Sequence, residues 1–208
     1  MVDFNRFINL RYNRVKPADG KILISEPFQN DKYFGRSVVI IIDHNEEGTA
    51  GIVINKPLRK KISIMVNETK LPVMRLFQGG PVATNQLFFL HSLGEVIPGS
   101  IDLGNKIYWG GSVEMAQELL QLNILNDDNA RFFLGYAGWS KHQLNEELKR
   151  DSWLVGTIDG ETLFNTESQK LWEKSIEQLG GDYQRWLKLP SDPDRKSTRL
   201  NSSHITIS

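Results

Sequence analysis

Cysteine is absent from all 208 residues, which removes disulfides, thiolate nucleophiles and every cysteine-held metal or redox centre at once. Long apolar runs are missing too. The longest, Val38 to Ile42, is far too short to cross a bilayer. The opening stretch, MVDFNRFINLRYNRVKP, mixes charges with apolar side chains and lacks the continuous apolar core of a secretory signal, so a cytoplasmic protein is expected. No GxSxG elbow, Walker loop, GxGxxG fingerprint, HExxH or EF-hand pattern occurs. An excess of charge of one sign is also lacking: 25 Lys+Arg face 25 Asp+Glu.

What remains is an ordinary globular composition, 39% hydrophobic and 24% charged, in a chain long enough to bury one substantial core. The exception is the end. Residues 194–208, DRKSTRLNSSHITIS, have no amphipathic period and read without mismatch as the translation of a common sequencing adapter with its index. Such segments are set aside from fold reasoning. Because Arg195, Lys196 and Arg199 stand there against Asp194, the rest of the chain has 22 basic and 24 acidic residues, a formal charge of −2. The expected organisation is a leader over 1–19, one domain over 20–190 and a tail over 191–208.

Periodicity then sets the elements. Lys21 to Ser25 and Arg36 to Asp43 read as strands, and the β-branched run Val38-Val39-Ile40-Ile41-Ile42 is apolar on both faces, as in a central strand of a covered sheet. His44 to Gly48 suits a hairpin loop, with Gly51 to Asn55 returning and Pro57 closing that strand. Ile62 to Val66 suits a short helix or a strand and leans towards the helix. Arg75 to Gln78 and Gln86 to His91 read as strands joined across Gly79-Gly80-Pro81. Ser112 is placed to cap a helix to about Leu122, with Met115, Leu119 and Leu122 on one face. After a strand over Ala130 to Gly135, Ser140-Lys141-His142-Gln143 reads as a capping box for a helix to about Arg150, with Leu144 and Leu148 buried and a Glu146–Arg150 pair outside. Ser152 to Ile158 returns as a strand. Leu171, Trp172, Ser175, Ile176 and Leu179 keep helical spacing up to Gly180-Gly181, and a short helix near Asp182 to Leu189 follows. Hairpins interspersed with helices make an α+β fold, with a mixed or antiparallel sheet and flanking helices.

Four segments together resemble the AlgH/YqgE family of bacterial proteins: GKILISEP at 20–27, RSVVIIIDHNEEGTAGIVINKP at 36–57, FQGGPV at 77–82 and FFLGYAGWSKHQLNEELKRDSWL at 132–154. The stretch NQLFFLHSLGEVIPGS is closest to members from the Bacteroidetes. The resemblance implies a single compact domain whose sheet is curled into a pseudo-barrel. It brings no catalytic residues to carry over, only a transcription-regulator label attached to some members.

Candidate chemistry is sparse. Three histidines remain outside the tail: His44, His91 and His142. Asp43, His44, Glu46 and Glu47 lie close enough in sequence for a carboxylate–histidine metal site, although polar hairpin tips collect such residues anyway. His91 and Ser92 point to opposite faces of a strand, which argues against a nucleophile–base dyad there. His142 falls in a first helical turn and is expected to be exposed. Two glycine pairs, Gly79-Gly80 and Gly110-Gly111, can expose backbone N–H groups, and the second leads through Ser112 into a helix, an arrangement that can bind a phosphate or carboxylate. Tight turns needing positive φ are the commoner use of glycine pairs. The expected function is therefore a non-catalytic regulatory or adaptor protein acting through a protein partner or a small anionic ligand, with no cofactor. A metal-dependent hydrolase and a DNA-binding transcriptional regulator are the alternatives. A body near −2 and the lone cluster Arg59-Lys60-Lys61 make nucleic acid a poor partner, and no membrane partner is expected.

Overall fold

A computed structural model describes residues 13–29, 33–62, 65–66, 69–70 and 74–190. Its strands are β1 (Ile22–Ser25), β2 (Val38–Asn45), β3 (Gly48–Val53), β4 (Pro57–Ile62), β5 (Met65–Val66), β6 (Thr69–Lys70), β7 (Met74–Gln78), β8 (Val82–His91), β9 (Ile101–Asp102) and β10 (Tyr108–Trp109). The chain continues through α1 (Val113–Gln121), β11 (Ala130–Ser140), α2 (Gln143–Lys149), β12 (Trp153–Gly156), α3 (Gly160–Asn165) and α4 (Leu171–Leu179), ending in a 3₁₀ segment at Gly181–Lys188.

Ten strands form one sheet along the path β12-β1-β2-β3-β11-β8-β10-β9, with β7 and then β4 branching from β11. The ends of the path, β12 and β9, do not pair, so the barrel is incomplete. Every pair is antiparallel except β7 with β11, which makes the sheet mixed. The branch is possible because β11 changes partners along its length. Phe132 to Leu134 pair with β7, whereas Ala137 to Ser140 pair with β3. The change falls at Gly135, where φ is +73° and the register with β8 slips. A bulge of this kind bends a strand and raises its twist.

Both faces of the β1–β3 region are covered, and β2 shows how. Val38 and Ile40 join Trp172, Ile176 and Trp186 from the C-terminal helices. Val39 and Ile41 join Trp139, Trp153, Leu144 and Leu148 on the α2 side. All four β2 side chains are fully buried, so the two-faced apolar run has its reason in period-two alternation between two cores. A third cluster packs Met74, Leu76, Phe89 and Phe132 against Ala116, Leu119 and Leu120 of α1.

Several local readings hold. Ser112 caps α1 by accepting from the Met115 amide at 3.2 Å, Leu144 and Leu148 are buried, and α4 stops at Gly180, whose φ is +66°. Others are corrected. No helix is found among the described residues of Ile62 to Val66: Ile62 ends β4, which pairs with β7 through Lys61↔Arg75 and Ile62↔Met74, and Met65–Val66 form β5, which pairs with β6. Pro57 opens β4 instead of closing β3, and a first strand position tolerates its missing N–H. The first hairpin is tighter than expected, with Asn45 paired to Gly48 and only Glu46 and Glu47 between them. Glu146 pairs with Lys149 at 2.6 Å rather than with Arg150. The capping box is half formed. Gln143 reaches back to the Ser140 amide at 3.0 Å, but Ser140 remains in β11 and its hydroxyl donates to the Gln143 side chain. The leader before Asn13 and the tail from 191 lie outside the described residues.

Candidate functional site

The register of the sheet builds a groove at one end of the molecule. His44 on β2 lies opposite Thr49 on β3. Trp139 and Ser140 at the end of β11 lie opposite Thr49 and Gly48. The β2–β3 tip and the β11–α2 turn are therefore side by side, although about ninety residues of sequence separate them. Between them is a cavity of about 580 Å³ whose walls include His44, Glu46, Thr49, Lys141, His142 and Asn145. A second cavity, about 440 Å³, shares His44, His142 and Asn145 with the first and adds Lys16, Pro17 and Lys149. The two adjoin through these shared residues as one groove, lined mostly by His, Lys, Glu, Ser, Thr and Asn side chains.

Two features of the groove are unusual. His142 has φ +66° and ψ −13°, a left-handed conformation that costs a non-glycine residue about 1–2 kcal/mol. Strain held in place by surrounding structure clusters at functional positions. The second feature is charge. Among the described residues Lys16 and Lys141 make no ion pair, whereas Lys149 is paired with Glu146. Glu46 is the acidic counterpart on the opposite wall. His44 is held on both sides: its backbone N–H donates to Asp19 Oδ1 at 2.8 Å, and Nδ1 lies 2.7 Å from Thr49 Oγ1.

The metal-site candidates divide here. His44 and Glu46 line the groove, but Asp43 and Glu47 do not. Asp43 accepts from the Asn45 side chain at 2.9 Å, on the other side of the strand. Among the described residues no three His, Asp or Glu side chains gather as a metal-holding group.

The glycine pairs lie elsewhere. Gly79 and Gly80 are buried where β7 crosses β11. The Gly79 N–H donates to the Leu134 carbonyl at 2.8 Å, and its own carbonyl accepts from Val53 at 2.8 Å. A Cβ at Gly79 would stand 2.1 Å from the Gly135 carbonyl oxygen, and one at Gly80 2.1 Å from the Tyr136 carbonyl carbon. Their glycine is needed so that two backbones can touch. Gly110 and Gly111 do precede α1 and have positive φ, but the backbone N–H groups on either side of Gly111 are already bonded. Gly110 N–H donates to Phe89 O, Ser112 N–H donates to Pro98 O, and Glu114 places its own carboxylate at the helix start. The Ser112 hydroxyl donates to that carboxylate at 3.0 Å, and the backbone N–H of Glu114 with this hydroxyl holds the carboxyl below its ordinary range.

His91 is fully buried and does meet a serine, Ser100 rather than Ser92. The pair is not poised as nucleophile and base. Nδ1 accepts the Leu93 N–H at 3.2 Å, so the ring proton is on Nε2, shared between Ser100 Oγ at 3.0 Å and Gly110 O at 3.1 Å. A nitrogen already carrying its proton cannot take one from serine. The Ser100 hydroxyl donates instead to Ile97 O at 2.6 Å.

Fold and site together define a single-domain α+β protein with an unclosed mixed sheet and a polar groove, not a recognisable catalytic centre. Among its described residues no helix is long and apolar enough to cross a membrane. A family model described as AlgH-like matches residues 22–184, and the chain belongs to that family. It is 38% identical over 199 residues to a UPF0301 protein of Parabacteroides distasonis, covering 93% of this chain and 98% of the relative. It is 43% identical over 186 residues to a UPF0301 protein of Bacteroides thetaiotaomicron, covering 88% and 94%. The solution structure of the AlgH protein from Pseudomonas aeruginosa superposes with a TM-score of 0.64 at 25% identity, covering 80% of this chain and 94% of that one. A crystal structure of a Corynebacterium diphtheriae protein shares the fold, with a TM-score of 0.66 at 20% identity over 87% and 96% of the two chains. The relatives' names give the family without an activity.

Proposed function

We propose that this protein acts by binding, as a non-catalytic regulatory or adaptor protein whose groove between the β2–β3 tip and the start of α2 takes a small anionic ligand. One observation carries the reading: two adjoining cavities share His44 and His142, and each has a lysine without an ion-pair partner, Lys141 in one and Lys16 in the other. Ser140, Thr49 and Asn145 add neutral hydrogen-bonding groups. Among the described residues no aromatic ring other than the imidazoles lines either cavity, so the groove favours a compact polar anion over a stacked base. The arrangement of His91 with Ser100 and the dispersal of Asp43, His44, Glu46 and Glu47 weigh against a hydrolase. The body charge near −2 weighs against DNA.

Thermal unfolding with and without inorganic phosphate tests the reading. Phosphate at a hundred times its dissociation constant should add about 2.7 kcal/mol, roughly 5–10 °C in Tm for a domain of this size. Lys141→Glu should abolish the shift without altering unliganded stability, since Lys141 is exposed. A flat response to phosphate and to small carboxylates would refute the anion groove and leave a protein partner as the route of action. Turnover of a defined substrate that depends on a groove residue would refute the non-catalytic reading.

A further inference from the structure

The groove is larger than one inorganic anion needs. Its two lobes have volumes of about 580 and 440 Å³, each within the range of a small-molecule site. A phosphate ion takes up only a few times the roughly 30 Å³ of one water, so it leaves most of either lobe to solvent. The cations are divided between the lobes. Lys141 lines the larger and Lys16 the smaller, and among the described residues neither makes an ion pair, whereas Lys149 is neutralised by Glu146. His44, His142 and Asn145 line both lobes. His44 commits Nδ1 to Thr49, but among the described residues its Nε2, the His142 ring and the Asn145 amide have no hydrogen-bond partner. The lobes therefore meet at side chains that are still available to a ligand. The carboxylates limit where negative charge can go, since Glu46 lines the larger lobe and Glu146 the smaller. Two anionic groups crowded into one lobe would face a carboxylate and share one unpaired lysine. One group in each lobe gives each its own lysine.

We infer that the ligand of this groove carries an anionic group at each end, one set against Lys141 and the other against Lys16, with its middle lying over His44, His142 and Asn145. The inference rests on the anion-groove reading above and narrows it to one chemical class, the α,ω-diacids. Joining two anions makes the second contact intramolecular, so the joined ligand binds more tightly than either end alone with no new kind of contact. The gain is greatest when the linker matches the distance between the two lobes, and it disappears when the linker is too short to span them.

Titration calorimetry on the full chain tests this with two series of increasing methylene length, α,ω-dicarboxylates and α,ω-bisphosphonates. Each diacid is compared with a singly charged-end counterpart of equal length, the methyl half-ester or the monophosphonate. At the best length the diacid should bind at least about tenfold more tightly than its counterpart. Lys16→Ala and Lys141→Ala should each bring that ratio to within about twofold, because either change leaves one end of the diacid without its cation. Both lysines are exposed, so an unchanged Tm without ligand marks these as losses of binding and not of folding. Equal affinity of diacid and counterpart at every length in both series, or a gain that survives either substitution, would overturn the two-ended ligand and leave the anion groove standing. Failure of inorganic phosphate and of every acid in the series to bind would overturn the groove reading itself, and the inference with it.

Discussion

Replacing Glu147 with alanine should be among the costliest single changes outside the apolar core. The carboxylate of this α2 residue joins three elements. Its Oε2 accepts from the indole N–H of Trp139 on β11 at 2.9 Å and from that of Trp153 on β12 at 2.7 Å. Its Oε1 accepts from Gln143 at 2.9 Å. Trp139 is 5% and Trp153 0% exposed, so alanine strands two buried donors. Each stranded donor costs about 1–3 kcal/mol, and water entering at the half-exposed Glu147 position recovers part of that. The expected loss is about 2–4 kcal/mol, roughly 5–15 °C in Tm. Glu147→Gln keeps an acceptor oxygen while losing the charge that strengthens the bonds, and should lose less than half as much. Urea unfolding followed by tryptophan fluorescence measures both, with an unchanged m-value as the check that the same transition is being read. A double-mutant cycle with Trp153→Phe should show a coupling of about 1 kcal/mol or more. A Glu147→Ala loss below about 0.5 kcal/mol, the level of an ordinary surface change, or simple additivity in the cycle, would refute this account of how α2 is held.

Gly79→Ala places a Cβ 2.1 Å from the Gly135 carbonyl oxygen and 3.1 Å from its carbon, with no flexible side-chain end to yield. It should cost more than about 4 kcal/mol, and a variant with a wild-type urea midpoint would show that the β7–β11 crossing has been misread. For His91, burial pushes the imidazole pKa below its ordinary 6.5. The unfolded chain therefore takes up a proton before the folded one does, so stability is intact above about pH 6.5 and falls as pH drops below it. His91→Gln should flatten that slope in urea midpoints measured from pH 7.5 to 5, and an unchanged slope would mean that other groups cause it.

Patterns with short range survived the passage from sequence to structure because their physics is local. The Ser112 cap, the Leu144–Leu148 spacing and the glycine stop after Leu179 each depend on residues within one or two helical turns. The run Val38 to Ile41 was legible as two-faced because alternation across a strand holds whatever covers it. The short-helix reading failed, and two further arrangements were not foreseen, where a distant partner decided. Residues 57–62 are extended because β7 pairs with β4, and Met65–Val66 because β6 pairs with β5, and nothing in these segments themselves announces either pairing. The Arg75–Gln78 and Gln86–His91 strands do not pair with each other, since β11 inserts between them. His91 meets Ser100, nine positions away, instead of its neighbour.

The groove shows the same division. His44 and Glu46 were visible as candidates, but Lys16, Lys141 and Asn145 carried no signal, and His142 stood out only once its left-handed backbone was seen. Composition and motif by themselves determined that no cysteine chemistry operates here, that the fold is α+β and that the chain resembles its family, since these depend on which residues are present and on their spacing. Only the tertiary structure decided that Gly79 and Gly80 serve a backbone crossing and that His44 and His142 share one groove. The first follows from the pairing of β7 with β11 and the second from that of β3 with β11, a contact between segments about ninety residues apart, and the register of such pairs is set by the packing of the whole sheet rather than by either segment alone.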